Sequence, residues 1–138
     1  MPSSSSHRLT TLLGLMPFCG LLGMQPETAD ADEVVGTLTW SAEQCTSDGI
    51  LHGSAIMALA DSVGAICAFL NLPDRTTTST IESKTNFFRG VRSGLVRAIA
   101  RPVHVGGRTI VVQTDLLDDH DRSVALVIQT QAVLQAQT

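Results

Sequence analysis

The sequence predicts an α+β fold in which a curved antiparallel sheet wraps a long central helix. Three observations predict it. Residues 54–70 are apolar on nearly every helical face, so that helix belongs inside the domain. The four segments after it, 77–88, 95–104, 109–117 and 123–134, are rich in Thr, Val, Ile and Phe and are separated by turn residues. A chain of 138 residues suits one core. A buried apolar helix needs a twisted sheet to wrap it, and antiparallel strands can do that.

Taken in order, residues 1–8, with Pro2 and a run of four serines, read as a disordered terminus, and 9–138 as a single domain. Residues 9–22 read as one or two short helical turns, broken by Pro17 and Gly20. Arg8 followed by apolar residues faintly suggests an export signal. Pro17 interrupts the run, the basic region is weak, and no small-x-small site follows closely. The run is also too short and broken to cross a membrane. The expectation is a short helix packed on the domain. Residues 33–40, EVVGTLTW, alternate as a strand, so one or two strands precede the helix. A polar loop, 41–49, leads into it, and Pro73 and Asp74 end it. The last four strands are expected to form a meander, with Gly106 and Gly107 supplying positive φ angles to a tight hairpin.

Composition excludes some functions. A net charge of −4 argues against general nucleic-acid binding. Aromatic residues make up only 4% of the chain and Tyr is missing, which argues against base-stacking platforms. Charge is unevenly spread: Lys84, Arg89, Arg92, Arg97, Arg101 and Arg108 lie in a stretch without any acid. Such a stretch is either a solvated sheet face or a surface for an anionic small molecule. Three cysteines, Cys19, Cys45 and Cys67, have no metal-ligand spacing and fit a reducing cytoplasm, with Cys67 a core filler. No ligand set for a metal is evident.

Asp61 is the only formally charged side chain between Gly49 and Pro73. Burying a carboxylate unpaired costs several kcal/mol, so Asp61 must be solvated, paired or used.

Gly49-Ile50-Leu51-His52-Gly53, followed by Ala58-Leu59-Ala60-Asp61, resembles the signature of hotdog-fold acyl-CoA thioesterases of the phenylacetate-pathway (PaaI-like, 4-hydroxybenzoyl-CoA thioesterase) type. That family carries G-x-L-H-G-G and then L-A-D/E on the central helix. The segment from Thr80 to Arg89 is similar to the family's T-x-x-x-x-x-N-F strand, and His104 to Thr109 to its usual hairpin. The resemblance covers roughly residues 16–134 and implies the hotdog fold. Two positions depart from it. Ser54 replaces the second glycine of HGG, and Thr46 stands where relatives often carry Asn or Gln.

The resemblance implies hydrolysis of an acyl-CoA thioester to a carboxylate and free coenzyme A. Coenzyme A is then part of the substrate, and no cofactor is needed. The Gly53 N–H, at the helix start, would polarise the thioester carbonyl. Asp61 would act as general base towards water or as nucleophile. His52 would orient the helix start or take part in proton transfer. Thr46 would supply part of the missing Asn or Gln role, and Thr80, or else Ser79, would help hold the water. Ser54, Arg89, Arg92 and Arg108 are candidate substrate contacts, the arginines for the phosphates. Gly53 and Asp61 are eight residues apart, roughly 12 Å along one helix, too far for one carbonyl to touch both. The site therefore needs two subunits, and the resemblance implies a dimer or a dimer of dimers. Two alternatives stand beside this reading: a non-catalytic acyl-CoA binding protein, and another acyl-CoA reaction such as hydration on the same fold.

Overall fold

The computed structural model describes residues 4–137. Helices Ser4–Gly14 (α1) and Pro17–Leu22 (α2) precede strands Gln25–Asp30 (β1) and Glu33–Thr39 (β2). Helix Gly53–Phe69 (α3) follows, and then strands Thr76–Phe87 (β3), Leu95–Val105 (β4), Thr109–Asp118 (β5) and Ser123–Gln135 (β6). All six strands form one antiparallel sheet in the order β1-β2-β4-β5-β6-β3, and α3 packs against every strand from β2 to β6. Among the described residues no helix is long and apolar enough to cross a membrane.

Period-two alternation builds the inner face of the sheet. Val96, Ala98 and Ala100 of β4 and Ile110, Val112 and Leu116 of β5 are fully buried. They meet Ile56, Leu59, Val63 and Ile66 of α3, while Ala60 and Gly64 let the helix come close. One stripe of α3 stays uncovered: Ser54, Met57, Asp61 and Phe69 are exposed.

Several expectations need correction. The last four strands are not a simple meander. Only β4, β5 and β6 follow one another; β3 pairs with β6 at the far edge. The segment 88–94 is therefore a crossover beneath the start of α3, anchored by buried Val91. Gly106 and Gly107 do not adopt positive φ. Gly106 sits in a tight spot instead: a Cβ there would lie 3.1 Å from the Thr109 carbonyl and 2.7 Å from Nε2 of the exposed His104, whose ring would have to move aside. Residues 4–8, expected to be disordered, form the first turns of α1, and residues 1–3 lie outside the described residues. The Ala29 N–H donates to Ser5 Oγ, and Leu9 and Leu13 are buried. The basic stretch is partly neutralised by acids from other strands: Arg97 pairs with Glu27 at 3.2 Å and Arg101 with Glu33 at 2.7 Å.

Candidate active site

The loop before α3 is pinned at several points. Trp40 Nε1 donates to the Gly49 carbonyl at 3.0 Å, and Arg92 Nη1 to the Asp48 carbonyl at 2.6 Å. The Leu51 N–H donates to the Val91 carbonyl and the His52 N–H to the Gln44 carbonyl, both at 2.8 Å. Asp48 and Gly49 take left-handed φ angles of 60° and 70°, turning the chain into the helix.

His52 caps α3. Its Nδ1 accepts from the Ser54 backbone N–H at 3.0 Å and lies 2.6 Å from Ser54 Oγ. A backbone amide can only donate, so Nδ1 is the acceptor and neutral His52 carries its proton on Nε2. Gly53 is the first residue of the helix, where N–H groups lack intrahelical partners, and no acceptor among the described residues meets its N–H. A Cβ at Gly53 would stand 3.1 Å from the Phe87 ring.

Two turns along α3, Asp61 is exposed to a groove of about 550 Å³. The groove runs between α2, the 43–45 turn, α3 and β3, with His52, Ser54, Cys45, Met57 and Ser83 on its walls. Asp61 Oδ1 makes two long contacts, 3.5 Å from Thr80 Oγ1 and 3.4 Å from Gln129 Nε2. Behind them, Gln131 Nε2 donates to Thr80 Oγ1 at 2.7 Å, and Thr78 Oγ1 donates to Gln131 Oε1 at 3.0 Å.

A β-bulge between Thr80 and Glu82 decides which β3 side chains reach the helix. Strict alternation would put Thr80 and Ser83 on opposite faces. The bulge resets the phase, so Thr80 touches Asp61 and Ser83 still lines the groove.

The structure thus brings His52, Gly53, Ser54, Asp61 and Thr80 to one helix face and its neighbouring strand. It does not bring Thr46 there. Thr46 is exposed, and Gln44 and Cys45 form that wall instead. Gln44 Nε2 donates to the Leu22 carbonyl at 2.9 Å, tying α2 to the loop, and its Oε1 is buried without a partner among the described residues. The three arginines are not gathered either. Arg89 follows the Phe87 ring at Gly53, and Arg92 is engaged with the loop backbone. Arg108 precedes β5, at the opposite end of the sheet, roughly 30 Å away at about 3.3 Å per residue. Ser83, Gln129 and Gln131 are site neighbours that strand patterning missed. One signal was available for the glutamines, since both share the period-two phase of Ala125 and Val127 on the core face.

Comparison with known proteins agrees with this architecture. Residues 48–125 match the model of the thioesterase superfamily. The chain is 33% identical over 116 residues to the Bacillus subtilis protein ComA2, covering 83% of this chain and 91% of that one. It is 29% identical to 1,4-dihydroxy-2-naphthoyl-CoA hydrolase of Escherichia coli, over 83% of this chain and 85% of that one. Its fold is similar to that of thioesterase HI1161 of Haemophilus influenzae, with a TM-score of 0.89 at 24% identity, covering 99% and 94% of the two chains. A mutant of thioesterase PA1618 of Pseudomonas aeruginosa gives a TM-score of 0.86 at 28% identity, covering 92% and 94%. With its curved sheet around a helix, its His-Gly helix start and a family match over more than half its length, the chain belongs to the thioesterase superfamily and is a hotdog-fold thioester hydrolase.

Proposed function

We propose that the chain hydrolyses acyl-CoA thioesters, with an aromatic or medium-chain acyl group, at a site completed by a second copy of itself. The observation that carries this is the placement of two complementary groups on α3. The Gly53 N–H without an acceptor and the exposed Asp61 are eight residues apart, roughly 12 Å along the axis. Two further features support a partner. β3 is a 12-residue edge strand with one side unpaired, a surface that invites strand addition. Met57 and Phe69, on the uncovered stripe with Asp61, are large apolar side chains left in water.

In this reading the thioester carbonyl lies against the Gly53 N–H of one subunit, with the His52 Nε2–H beside it as a second donor. Asp61 of the other subunit takes a proton from water while the oxygen adds to the carbonyl. The C–S bond then breaks, and the thiolate of coenzyme A leaves and gains the proton. Direct attack by Asp61 through a mixed anhydride uses the same geometry. The apolar stripe suits the acyl group, and the name of the Escherichia coli relative makes an aromatic acyl group a natural first substrate. Arg89, two residues after the Phe87 that faces Gly53, is the arginine we assign to a phosphate, since Arg92 is engaged with the loop backbone. Three free thiols, Cys19, Cys45 and Cys67, suit a reducing cytoplasm.

The test uses subunit mixing. Gly53→Pro deletes the donor at a helix position that tolerates proline: His52, at φ −61° and ψ 135°, already has the backbone a following proline favours, and the half-exposed Phe87 ring, 3.1 Å from the new Cβ, need give way by only a few tenths of an ångström. Gly53→Pro and Asp61→Ala should each abolish thiol release from benzoyl-CoA. Random 1:1 mixing gives half mixed dimers, each with one intact site, so activity should return to about a quarter of wild type. Verified mixed dimers without activity would rule out a shared site.

A further inference from the structure

The inward face of β6 carries two glutamines where a core strand would gain more from apolar residues. Gln129 is 0% exposed and Gln131 1% exposed. Neither completes a ladder or a turn with its side chain. Gln131 instead joins a run of hydrogen bonds that all point one way: Thr78 O–H to Gln131 Oε1, Gln131 N–H to Thr80 Oγ1, and Thr80 O–H to Asp61 Oδ1. Gln129 reaches the same carboxylate oxygen directly. Its own Oε1 is buried and has no partner among the described residues, a condition proteins rarely tolerate because it forfeits a hydrogen bond. The helix makes room for this amide at one residue. A Cβ on Gly64 would sit 1.9 Å from Gln129 Oε1.

We infer that Gln129 and Gln131 are positioning residues for the reaction, Gln129 directly and Gln131 through Thr80, and that they hold Asp61 by Oδ1 so that Oδ2 faces the reacting group. The inference rests on the reading of Asp61 as the working carboxylate. The cause is geometric. An aspartate on an exposed helix stripe has free χ1 and χ2 rotation, and two donors fixed in the sheet remove that freedom. Both contacts are long in the single protomer, 3.5 and 3.4 Å, as catalytic hydrogen bonds often are before substrate is bound. Gly64 is part of the device, since any side chain there displaces Gln129.

The experiment compares full-length variants with one aromatic acyl-CoA, reading kcat, KM and thermal midpoint. Gln129→Met keeps the volume and deletes the donor. It should lower kcat by on the order of 10- to 100-fold, the scale of a misplaced reacting group, with KM within about twofold of wild type. Its thermal midpoint should stay level or rise, because an orphaned buried carbonyl is removed. Thr80→Val and Gln131→Met should each lower kcat, and the double variant should be no worse than Thr80→Val alone. Thr80→Ser should restore turnover. Gly64→Ala should lower kcat in the native background and have no further effect in Gln129→Ala, where the clash is gone. Wild-type kcat in Gln129→Met while Asp61→Ala is inactive would overturn this inference and leave the role of Asp61 standing. A kcat loss that tracks a fall in thermal midpoint would overturn it too, by making the glutamines purely structural. Wild-type turnover in Asp61→Ala is a different result, one that sinks the reading of Asp61 itself and the positioning role with it.

Discussion

At the scale of the residue, His52 shows how a local bond fixes a chemical role. Its Nδ1 is occupied by the Ser54 amide, so it presents an Nε2–H donor and no base at that nitrogen. Ser54→Ala keeps the amide bond and should cost only a few-fold in kcat. His52→Ala removes the cap as well as the donor, and should cost about 1 kcal/mol of stability along with a larger loss of kcat. Differential scanning calorimetry and steady-state kinetics on the pair separate the two effects. The cysteines differ in the same way. Burial, reinforced by the negative charge of Asp32, pushes the Cys67 thiol up to about 11. Cys45 is half-buried on the groove wall. Since the thiolate is the reactive form, iodoacetamide at pH 8 should label Cys45 in the native protein and reach Cys67 only after unfolding. Peptide mass mapping reads both.

At the scale of the element, the β5–β6 connection carries a charge-linked stability. Burial alone would push the Asp118 carboxyl up. Hydrogen bonds from the Arg122 and His120 backbone N–H groups and the Arg122 guanidinium, together with that guanidinium's charge, outweigh it and hold the carboxyl below its ordinary value. A depressed carboxyl stabilises the fold in full above the unfolded-state value, about 3.9, and loses that contribution as pH falls through the folded-state value. Asp118→Asn should therefore unfold at lower temperature than wild type at pH 7, and the gap should close in acid. Melts at pH 7 and below pH 3 test this. Equal gaps at both would count against the ionised carboxylate as the cause. β3 carries the other decisive local feature. Its bulge keeps both Thr80 and Ser83 on the helix side, and nothing in the residues alone singles out Ser83, because simple alternation assigns it the other face.

At the scale of the whole molecule, the open edge of β3 and the exposed stripe of α3 lie on the same side of the protomer as Asp61. Ile81, 61% exposed, sits at the bulge in the middle of that edge. Placing a charge there does not touch the core of one protomer, but it burdens any strand pairing across the edge. Ile81→Asp should sediment as a monomer with wild-type circular dichroism and without thioesterase activity. A fully active monomer would dispose of the shared site.

Much of this was legible in the residues themselves. The apolar run after His52 and the alternation of β4, β5 and β6 report local preferences that survive into the fold, so α3 and the later strands could be read directly, whereas His52, Gly53 and Asp61 were picked out by the resemblance that the His-Gly and Leu-Ala-Asp motifs carry. β1 could not, because Gln-Pro-Glu-Thr-Ala-Asp has little strand propensity and becomes a strand only by pairing with β2 at the sheet edge, where a proline is tolerated. Nor could the placement of β3 beside β6, which is a choice among long-range pairings, or the replacement of Thr46 by Gln44 and Cys45 at the groove wall, which depends on how a pinned loop turns. The sequence by itself determined which elements form and which carboxylate is exceptional, because helix period, strand period and the cost of a lone charge are local. Only the tertiary structure decided what holds that carboxylate, because Asp61 and Gln129 are 68 residues apart and meet only when the sheet curls around the helix.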